Sequence, residues 1–204
     1  MYKKIIVFEG IDGSGKTFHL NEVSKYLNKK KIKFIKFREP GGTRNSEVIR
    51  NIILSDKSTF KKKTDLLLYL AARNENYESL IKPNINKKVI LIDRFTDSTM
   101  SYQHYGFKIN KKIINTLNKF VLGNFKPNFT FFHFVPTKHI KQNISGEKNK
   151  YDKFNKKFYK NAQNGFIKIL KKNKKKLIIN SSKTKKYNIE IIKNKINKIL
   201  DIHD

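Results

Sequence analysis

The sequence predicts an α/β fold in which a central parallel sheet of about five strands is covered by helices on both faces. Three observations predict it. Short apolar runs alternate with segments of helical periodicity, and this alternation is typical of parallel strands joined by helical crossovers. The length of 204 residues suits one domain rather than two. Polar residues follow several of the apolar runs, and ligands of such sheets bind at the carboxyl ends of the strands.

The strands are predicted from the apolar runs near residues 4–9, 32–37, 89–92, 129–135 and 176–180. The helices are predicted near residues 16–29, 46–54, 65–80, 109–122, 151–172 and 187–200. The second helix is expected to turn Val48, Ile49, Ile52 and Ile53 inward. The third is expected to begin after Thr64 and to end before Pro83, because proline interrupts a helix. Residues 138–150 are rich in Lys and Asn and show no apolar period.

A phosphate-binding motif connects the first strand to the first helix. It reads Gly10-Ile11-Asp12-Gly13-Ser14-Gly15-Lys16-Thr17 and fits G-x-x-x-x-G-K-[ST], in the strand-loop-helix context that the motif requires. The glycines allow a tight turn whose N–H groups face phosphate oxygens, and the helix dipole adds to their effect. The lysine of the motif contacts the β- and γ-phosphates, and its threonine contacts Mg²⁺. The sequence therefore predicts a P-loop NTPase-type three-layer fold that uses ATP and Mg²⁺.

The composition excludes several other classes of protein. Without cysteine, the chain has no disulfide and no thiolate metal site, and its five histidines lack zinc-ligand spacing. No run of about 18 apolar residues predicts a membrane span, and the N-terminus reads as a core strand rather than a signal peptide. We expect a cytoplasmic protein that binds no membrane.

The net charge of +30 comes from 46 Lys and Arg residues against 16 Asp and Glu residues. Such a charge is compatible with a nucleic-acid partner. The basic residues are, however, spread along the chain without aromatic interleaving, so a solvated, lysine-rich surface is the better interpretation. Only five of the basic residues are arginines, and these indicate places where a planar, bidentate donor is needed. They are Arg38, Arg44, Arg50, Arg73 and Arg94.

Two more strand ends carry charged pairs that are expected to face the phosphate loop. Arg38-Glu39 follows the second strand and Asp93-Arg94 follows the third. Together with the phosphate loop they offer arginines and carboxylates to one crevice.

These motifs resemble those of the thymidylate kinases, which transfer the γ-phosphate of ATP to dTMP to give dTDP in dTTP synthesis. Four ordered motifs carry the resemblance over nearly the whole chain, so residues 1–204 are expected to form one domain of this kind. The motifs are Phe8–Thr17, Arg38-Glu39-Pro40-Gly41-Gly42-Thr43, Leu66–Arg73, and Asp93-Arg94-Phe95 with Ser98-Thr99 and Tyr102-Gln103.

The resemblance implies a role for each matching residue. Tyr69 would stack on thymine, and Arg73, one helical turn away, would contact the base edge. Arg94, with Arg38 nearby, would hold the acceptor phosphate, while Asp12 would accept from the sugar 3′-OH. The full implied substrate site is Asp12, Arg38, Glu39, Pro40, Tyr69, Arg73, Arg94, Thr99, Tyr102 and Gln103. Tyr102 and Gln103 would pack against sugar and base and disfavour a ribose. Glu39 and Asp93 are candidates for binding Mg²⁺ through water or for orienting arginines.

The implied reaction is in-line phosphoryl transfer without a covalent intermediate. Its expected catalytic residues are Asp12, Lys16, Arg94 and Lys150. The sequence departs from the family in the expected mobile lid, about residues 140–153, which contains no arginine. Lys148, Lys150 and Lys153 are candidate cations there, and Lys150 aligns best with the missing arginine. The resemblance also implies a homodimer.

Three alternatives remain open at this level. A kinase for another nucleoside monophosphate would share the phosphate loop and Asp93-Arg94, but not Arg38–Thr43 together with Tyr69 and Arg73. A nucleic-acid-binding protein that retains the fold would bind polyanions in a salt-dependent way. A GTPase-type switch has little support, because Asn149-Lys150-Tyr151-Asp152 does not follow a strand.

Overall fold

A five-stranded parallel sheet forms the centre of the computed structural model, which describes residues 4–140, 154–171 and 173–202. Its strands are β1 (Ile5–Gly10), β2 (Phe34–Arg38), β3 (Val89–Asp93), β4 (Phe129–Phe134) and β5 (Lys176–Asn180). They lie in the order β2-β3-β1-β4-β5, with every neighbouring pair parallel. The predicted α/β class and the parallel sheet are confirmed.

Alternate residues of β1 face the two sides of the sheet and explain its two apolar layers. Ile6 and Phe8 belong to the core cluster that contains Leu20 and Ile192, whereas Ile5 and Val7 belong to a cluster on the opposite face. Because both faces are covered by helices, all six residues of β1 are buried.

The helices are bounded as follows in the described part of the chain: α1 (Lys16–Lys29), α2 (Arg44–Leu54), α3 (Lys62–Asn76), α4 (Lys82–Asn84), α5 (Thr96–Thr99), α6 (Lys111–Leu122), α7 (Lys156–Lys171) and α8 (Lys185–Leu200). Thr43, Asn110 and Thr184 precede α2, α6 and α8, and each side chain accepts a hydrogen bond from a backbone N–H of the first turn. None of these helices has the length and apolar character that a bilayer-spanning segment requires.

Helical structure extends further than the sequence predicts at two places. α3 begins at Lys62 rather than Asp65, and a π-helical segment, Tyr77–Ile81, continues it into α4. The predicted end before Pro83 is therefore wrong: proline occupies the first turn of α4, where its missing N–H is tolerated. A second π-helical segment, Met100–Gly106, extends α5 over residues for which no helix was predicted.

The inward face of α2 also differs from the prediction. Ile53 is fully buried, but Val48 and Ile52 are 56% and 42% exposed. Ser46 takes the inward position instead, and its hydroxyl donates to the carbonyl oxygen of Ala72 at 2.9 Å. The apolar pattern was misleading at Val48 and Ile52 because the hydrogen-bonded Ser46 lies in the contact of α2 with α3, beside Ile53.

Candidate active site

Two adjoining clefts open at the carboxyl ends of β1, β2 and β3. The smaller has an empty volume of about 620 Å³. The larger, about 1600 Å³, contains the phosphate loop. Asp12, Glu39, Arg50 and Arg94 line both clefts and form their common boundary. In the following, the first is called the small cleft and the second the large cleft.

The phosphate loop is shaped by backbone angles that favour glycine. Gly10 has a φ of 146°, and a Cβ there would lie 2.6 Å from the carbonyl oxygen of His133. Gly13 and Gly15 also have positive φ, at 70° and 85°. No side chain caps the start of α1, so its first N–H groups are available to an anion. The geometry is that of a phosphate cradle.

Lys16 lies buried at the base of the large cleft. Its ammonium donates to the carbonyl oxygen of Ile11 at 2.9 Å. Burial, and next the charge of Arg94, lower the pKa of Lys16 to about 8, although Asp93 and Asp12 oppose the shift. A polyanion bound here would favour the protonated form of this lysine.

Asp93 lies at the end of β3 beside the phosphate loop. The Thr17 hydroxyl donates to its Oδ2 at 2.5 Å, while its Oδ1 is buried without a hydrogen-bond partner among the described residues. Glu39 likewise has a buried Oε1 without such a partner. Unpartnered carboxylate oxygens beside a hydroxyl are the donor type that Mg²⁺ prefers, so these residues fit a hydrated magnesium ion. The described residues contain no cluster of three or more His, Asp or Glu that would enclose a metal on its own.

Arg94 connects the phosphate loop to the small cleft. Its Nη2 donates to Asp12 Oδ1 at 2.6 Å, and its Nη1 donates to the carbonyl oxygen of Gly10 at 2.9 Å. The Tyr102 hydroxyl donates to the other oxygen of Asp12 at 2.8 Å. Burial alone would raise the pKa of Asp12, but Arg94 and Lys16 hold it below its usual range. Asp12 is therefore an ionised acceptor at neutral pH.

Glu9 lies buried in the core and contacts Ser98, whose hydroxyl accepts a hydrogen bond from Arg94 Nη1 at 3.2 Å. Its carboxylate accepts hydrogen bonds from the backbone N–H groups of Phe95 and Ser98 and from the Ser98 hydroxyl. Burial nevertheless raises the pKa of Glu9 above its usual value. Burial also raises the pKa of nearby Asp97 to about 7, and the charge of Glu9 adds to that shift. These contacts fix the start of α5 against β1.

Arg73, from α3, is 2% exposed and is held by three side chains. Its Nε and Nη2 both lie 2.8 Å from Glu39 Oε2. Nη2 also donates to the Thr99 hydroxyl at 2.9 Å, and Nη1 donates to Asn118 Oδ1 at 2.6 Å. Burial raises the pKa of Glu39 even though the Arg73 charge opposes this. The guanidinium is thereby fixed in the wall of the small cleft.

The remaining walls of the small cleft are flat or apolar. Tyr69, Pro40, Leu54 and Gln103 line it. Gln103 is 1% exposed, and its Oε1 has no hydrogen-bond partner among the described residues. A ligand with a flat ring and an N–H donor would satisfy both features.

The structure brings nine of the ten predicted substrate residues together around the small cleft: Asp12, Glu39, Pro40, Tyr69, Arg73, Arg94, Thr99, Tyr102 and Gln103. Arg38 lies instead in the large cleft, where its guanidinium is half exposed and pairs with Glu47 at 3.0 Å. Lys150, and the lid region apart from Ile140, lie outside the described residues.

Three residues of the site had no assigned role in the sequence-based prediction. Arg50 lines both clefts and donates to the carbonyl oxygen of Pro40 at 2.7 Å. The scarcity of arginine was the signal that could have identified it. His19 and His133 pack behind the phosphate loop, with Nδ1 of the first 3.0 Å from Nε2 of the second. Their contact joins two distant parts of the sequence, so no local pattern could indicate it.

Comparisons with known proteins agree with one another. The sequence profile of the family described as "Thymidylate kinase" matches residues 8–196. The thymidylate kinase of Ehrlichia ruminantium (strain Gardel) is 40% identical over 189 residues, covering 90% of this chain and 91% of the relative. That of Thermosipho africanus is 36% identical over 181 residues, covering 88% and 90%. The crystal structure of thymidylate kinase from Ehrlichia chaffeensis matches with a TM-score of 0.78 and 31% identity, covering 99% of this chain and 100% of that chain.

Proposed function

The chain belongs to the thymidylate kinase family and phosphorylates dTMP to dTDP with ATP, and we propose that its two clefts hold these two nucleotides. ATP occupies the large cleft, with its phosphates in the loop Gly10–Thr17. dTMP occupies the small cleft. The observation that carries this assignment is the shared boundary of Asp12, Glu39, Arg50 and Arg94, since a phosphoryl group must pass directly between the two sites.

The donor phosphates are bound by the loop and by Lys16. Gly10, Gly13, Ser14 and Gly15 present the backbone, and the Lys16 ammonium neutralises the β- and γ-phosphates. The Ser181 hydroxyl donates to the carbonyl oxygen of Ser14 at 2.8 Å, which connects the loop to the end of β5. This contact supports a preorganised cradle.

The acceptor phosphate is proposed to lie between Arg94 and Arg50 at the boundary. Arg94 was expected to act with Arg38, but Arg50 is better placed because it lines both clefts. Arg38 then meets the phosphates from the side of the large cleft. Two guanidinium groups suit a dianionic phosphate, which each can contact with two N–H groups.

The thymine base is proposed to lie on Tyr69, with its edge facing Arg73 and Gln103. The ring of Tyr69 offers a stacking surface, and Arg73 donates to a ring carbonyl. The unpartnered Oε1 of Gln103 accepts from the ring N–H. Tyr102, Thr99 and Pro40 enclose the sugar and base, and Asp12 accepts from the 3′-OH.

Chemistry then consists of positioning and charge stabilisation. Asp12 and Arg94 fix the acceptor, Lys16 holds the donor, and the acceptor oxygen is already ionised near neutral pH, so no strong general base is required. Lys150 is proposed, from the sequence alone, to supply the cation over the transferred group. A lysine can neutralise that group but cannot contact two of its oxygens in the manner of an arginine.

Magnesium is proposed as the cofactor that accompanies ATP. Thr17 would hold it directly, and Asp93 or Glu39 would hold it through water. It would supply charge neutralisation across the donor phosphates. The buried, unpartnered oxygens of both carboxylates support this set of ligands.

A homodimer is proposed on the exposed faces of α2 and α3. Val48, Ile52 and Leu67 are 56%, 42% and 56% exposed there, in a chain of net charge +30. Two highly cationic copies can associate only where few charges meet, and these three exposed apolar side chains offer such a contact. Residues 1–204 are proposed to act as one domain in the cytoplasm. Nucleic acid is not part of the proposed function.

An acceptor panel tests the assignment of the small cleft. ADP formation from ATP and Mg²⁺ is measured with dTMP, dUMP, dCMP, dGMP or AMP. We expect dTMP to be preferred and dUMP to follow, with kcat/KM lower by about 10- to 200-fold, since a methyl group contributes about 1–3 kcal/mol. Equal kcat/KM for dTMP and dUMP would contradict the proposed enclosure of the thymine ring, and a preference for another monophosphate would overturn the base-site residues.

A further inference from the structure

The guanidinium of Arg73 has five N–H groups, and the described contacts engage four of them. Nε and Nη2 contact Glu39, Nη2 also contacts Thr99, and Nη1 contacts Asn118. One hydrogen of Nη1 is left over. Because the guanidinium is planar, fixing three of its edges also fixes the direction of this last donor.

Asn118 is the only one of these three partners that lines neither cleft. It lies on α6, a helix that packs against α3 from outside the site, and its Oδ1 is 2.6 Å from Nη1. An arginine cannot accept a hydrogen bond, so the amide oxygen must be the atom that faces it. Glu39 and Thr99 hold the Nε and Nη2 side of the guanidinium, and Asn118 holds Nη1, which carries the unengaged hydrogen.

We propose that Asn118 is a positioning residue that aims the last N–H of Arg73 at the carbonyl group on position 4 of the acceptor's pyrimidine ring. This inference rests on the proposed role of Arg73 in contacting the base. A fixed N–H donor can form a hydrogen bond to a carbonyl oxygen but not to the amino group that cytosine carries at that position. Two donors would then face each other without water. Asn118 thereby sharpens the choice of thymine over cytosine.

The methyl group of thymine is distinguished in another way. A methyl group is recognised by apolar enclosure, and the apolar side chains in contact with the small cleft, such as Leu54 and Phe95, do not depend on Asn118. Loss of the Asn118 contact should therefore change one ratio of substrates and leave the other unchanged. A general loss of structure would change both.

The test compares Asn118→Leu, which removes the acceptor at similar volume, with Asn118→Asp, which keeps an acceptor for Arg73. Asn115→Leu, at an exposed position of the same helix, is the matched control. For each variant, kcat and KM are measured with dTMP, dUMP and dCMP. Asn118→Ala is measured in parallel, so that poor folding of the leucine variant leaves the ratios measurable.

We expect Asn118→Leu and Asn118→Ala to raise KM for dTMP by about tenfold or more and to lower the dTMP/dCMP ratio of kcat/KM by a similar factor, the typical effect of a hydrogen bond to a charged group. The dTMP/dUMP ratio should stay within about twofold of the unmodified chain, and Asn118→Asp should restore the dTMP/dCMP ratio. An unchanged dTMP/dCMP ratio in both acceptor-free variants, or an equal loss on all three acceptors, would overturn the inference.

Arg73→Lys separates this inference from the proposed function. If that variant lowers the dTMP/dCMP ratio of kcat/KM and the Asn118 variants do not, Arg73 contacts the base independently of Asn118. Only the inference then fails. If Arg73→Lys also leaves the ratio unchanged, the proposed contact between Arg73 and the base is wrong, and the inference fails with it.

Discussion

Replacing Arg94 with lysine tests the boundary between the two clefts. Arg94 engages Gly10 and Ser98 through Nη1 and Asp12 through Nη2, at 2.9, 3.2 and 2.6 Å. Among the described residues, Nε–H has no partner and the second hydrogen of Nη2 makes only a 3.5 Å contact to Tyr102. Nε–H and one hydrogen of Nη2 share an edge of any guanidinium, and such a pair can contact two oxygens of a phosphate. A lysine keeps the charge but loses this edge.

The expected cost follows from the contacts that are lost. Even if the ammonium keeps the contact to Asp12, one phosphate hydrogen bond and one contact to the phosphate loop disappear, at about 1.5 kcal/mol or more each. A total of about 3 kcal/mol corresponds to a loss of roughly 100-fold in kcat/KM for dTMP. Arg94 has a φ of 69°, but lysine carries a Cβ as well, so the substitution adds no backbone strain.

The assay is steady-state ADP formation with dTMP varied at saturating ATP, together with direct measurement of ATP affinity. Arg44→Lys, at an exposed position of α2 that lines neither cleft, is the matched control and should retain full activity. ATP affinity should change by less than about threefold in both variants. If Arg94→Lys keeps kcat/KM for dTMP within a few-fold of the unmodified chain, the two-donor contact is refuted. A selective loss of ATP affinity would indicate that Arg94 binds ATP rather than dTMP.

Two further predictions concern stability and assembly. Burial, followed by the charges of His19 and Lys16, holds the pKa of His133 well below its ordinary 6.5. The folded chain thus binds fewer protons than the unfolded chain, and stability should fall as the pH drops below about 6.5, by at most about 1.4 kcal/mol per pH unit. The midpoint of thermal unfolding should change less between pH 7.5 and 5.5 in His133→Leu than in the unmodified chain. An equal change in both would show that His133 is not the source of this pH dependence. In light scattering, Val48→Glu should convert the proposed dimer to monomer whereas Tyr187→Glu should not, and an intact dimer in the α2 variant would exclude that face.

The strands and the phosphate loop could be predicted because their signals are local. The buried parallel strand Val89–Asp93 begins with four consecutive apolar residues, and the loop has a fixed spacing of glycines and lysine. The ends of α3 were predicted less well. Pro83 normally stops a helix, but the π-helical segment before it lets the chain begin a new first turn there.

Side-chain orientation was the part that sequence could not supply. Val48 and Ile52 were predicted to be buried because they are apolar, yet it is Ser46 that is buried against α3, through hydrogen bonds to Ala72 and Asn76. Arg38 and Arg50 lie twelve residues apart near the same loop, and only the fold decides that Arg50 lies at the boundary of the clefts. The role of Asn118 could not be predicted for the same reason, because its partner, Arg73, is 45 positions away in the sequence.

The shared boundary of the clefts has a consequence for inhibition. Since Asp12, Glu39, Arg50 and Arg94 line both clefts, we expect one molecule that carries a deoxynucleoside and an adenosine joined by a phosphate chain to occupy both at once. Its second half would bind at an effective concentration in the millimolar range, which can raise affinity by about 10²–10⁴ over either half alone. Lys16, Arg50 and Arg94 would meet the charge of the connecting chain along its length. The length of that chain, varied one phosphate at a time, would measure the distance across which the enzyme moves its phosphoryl group.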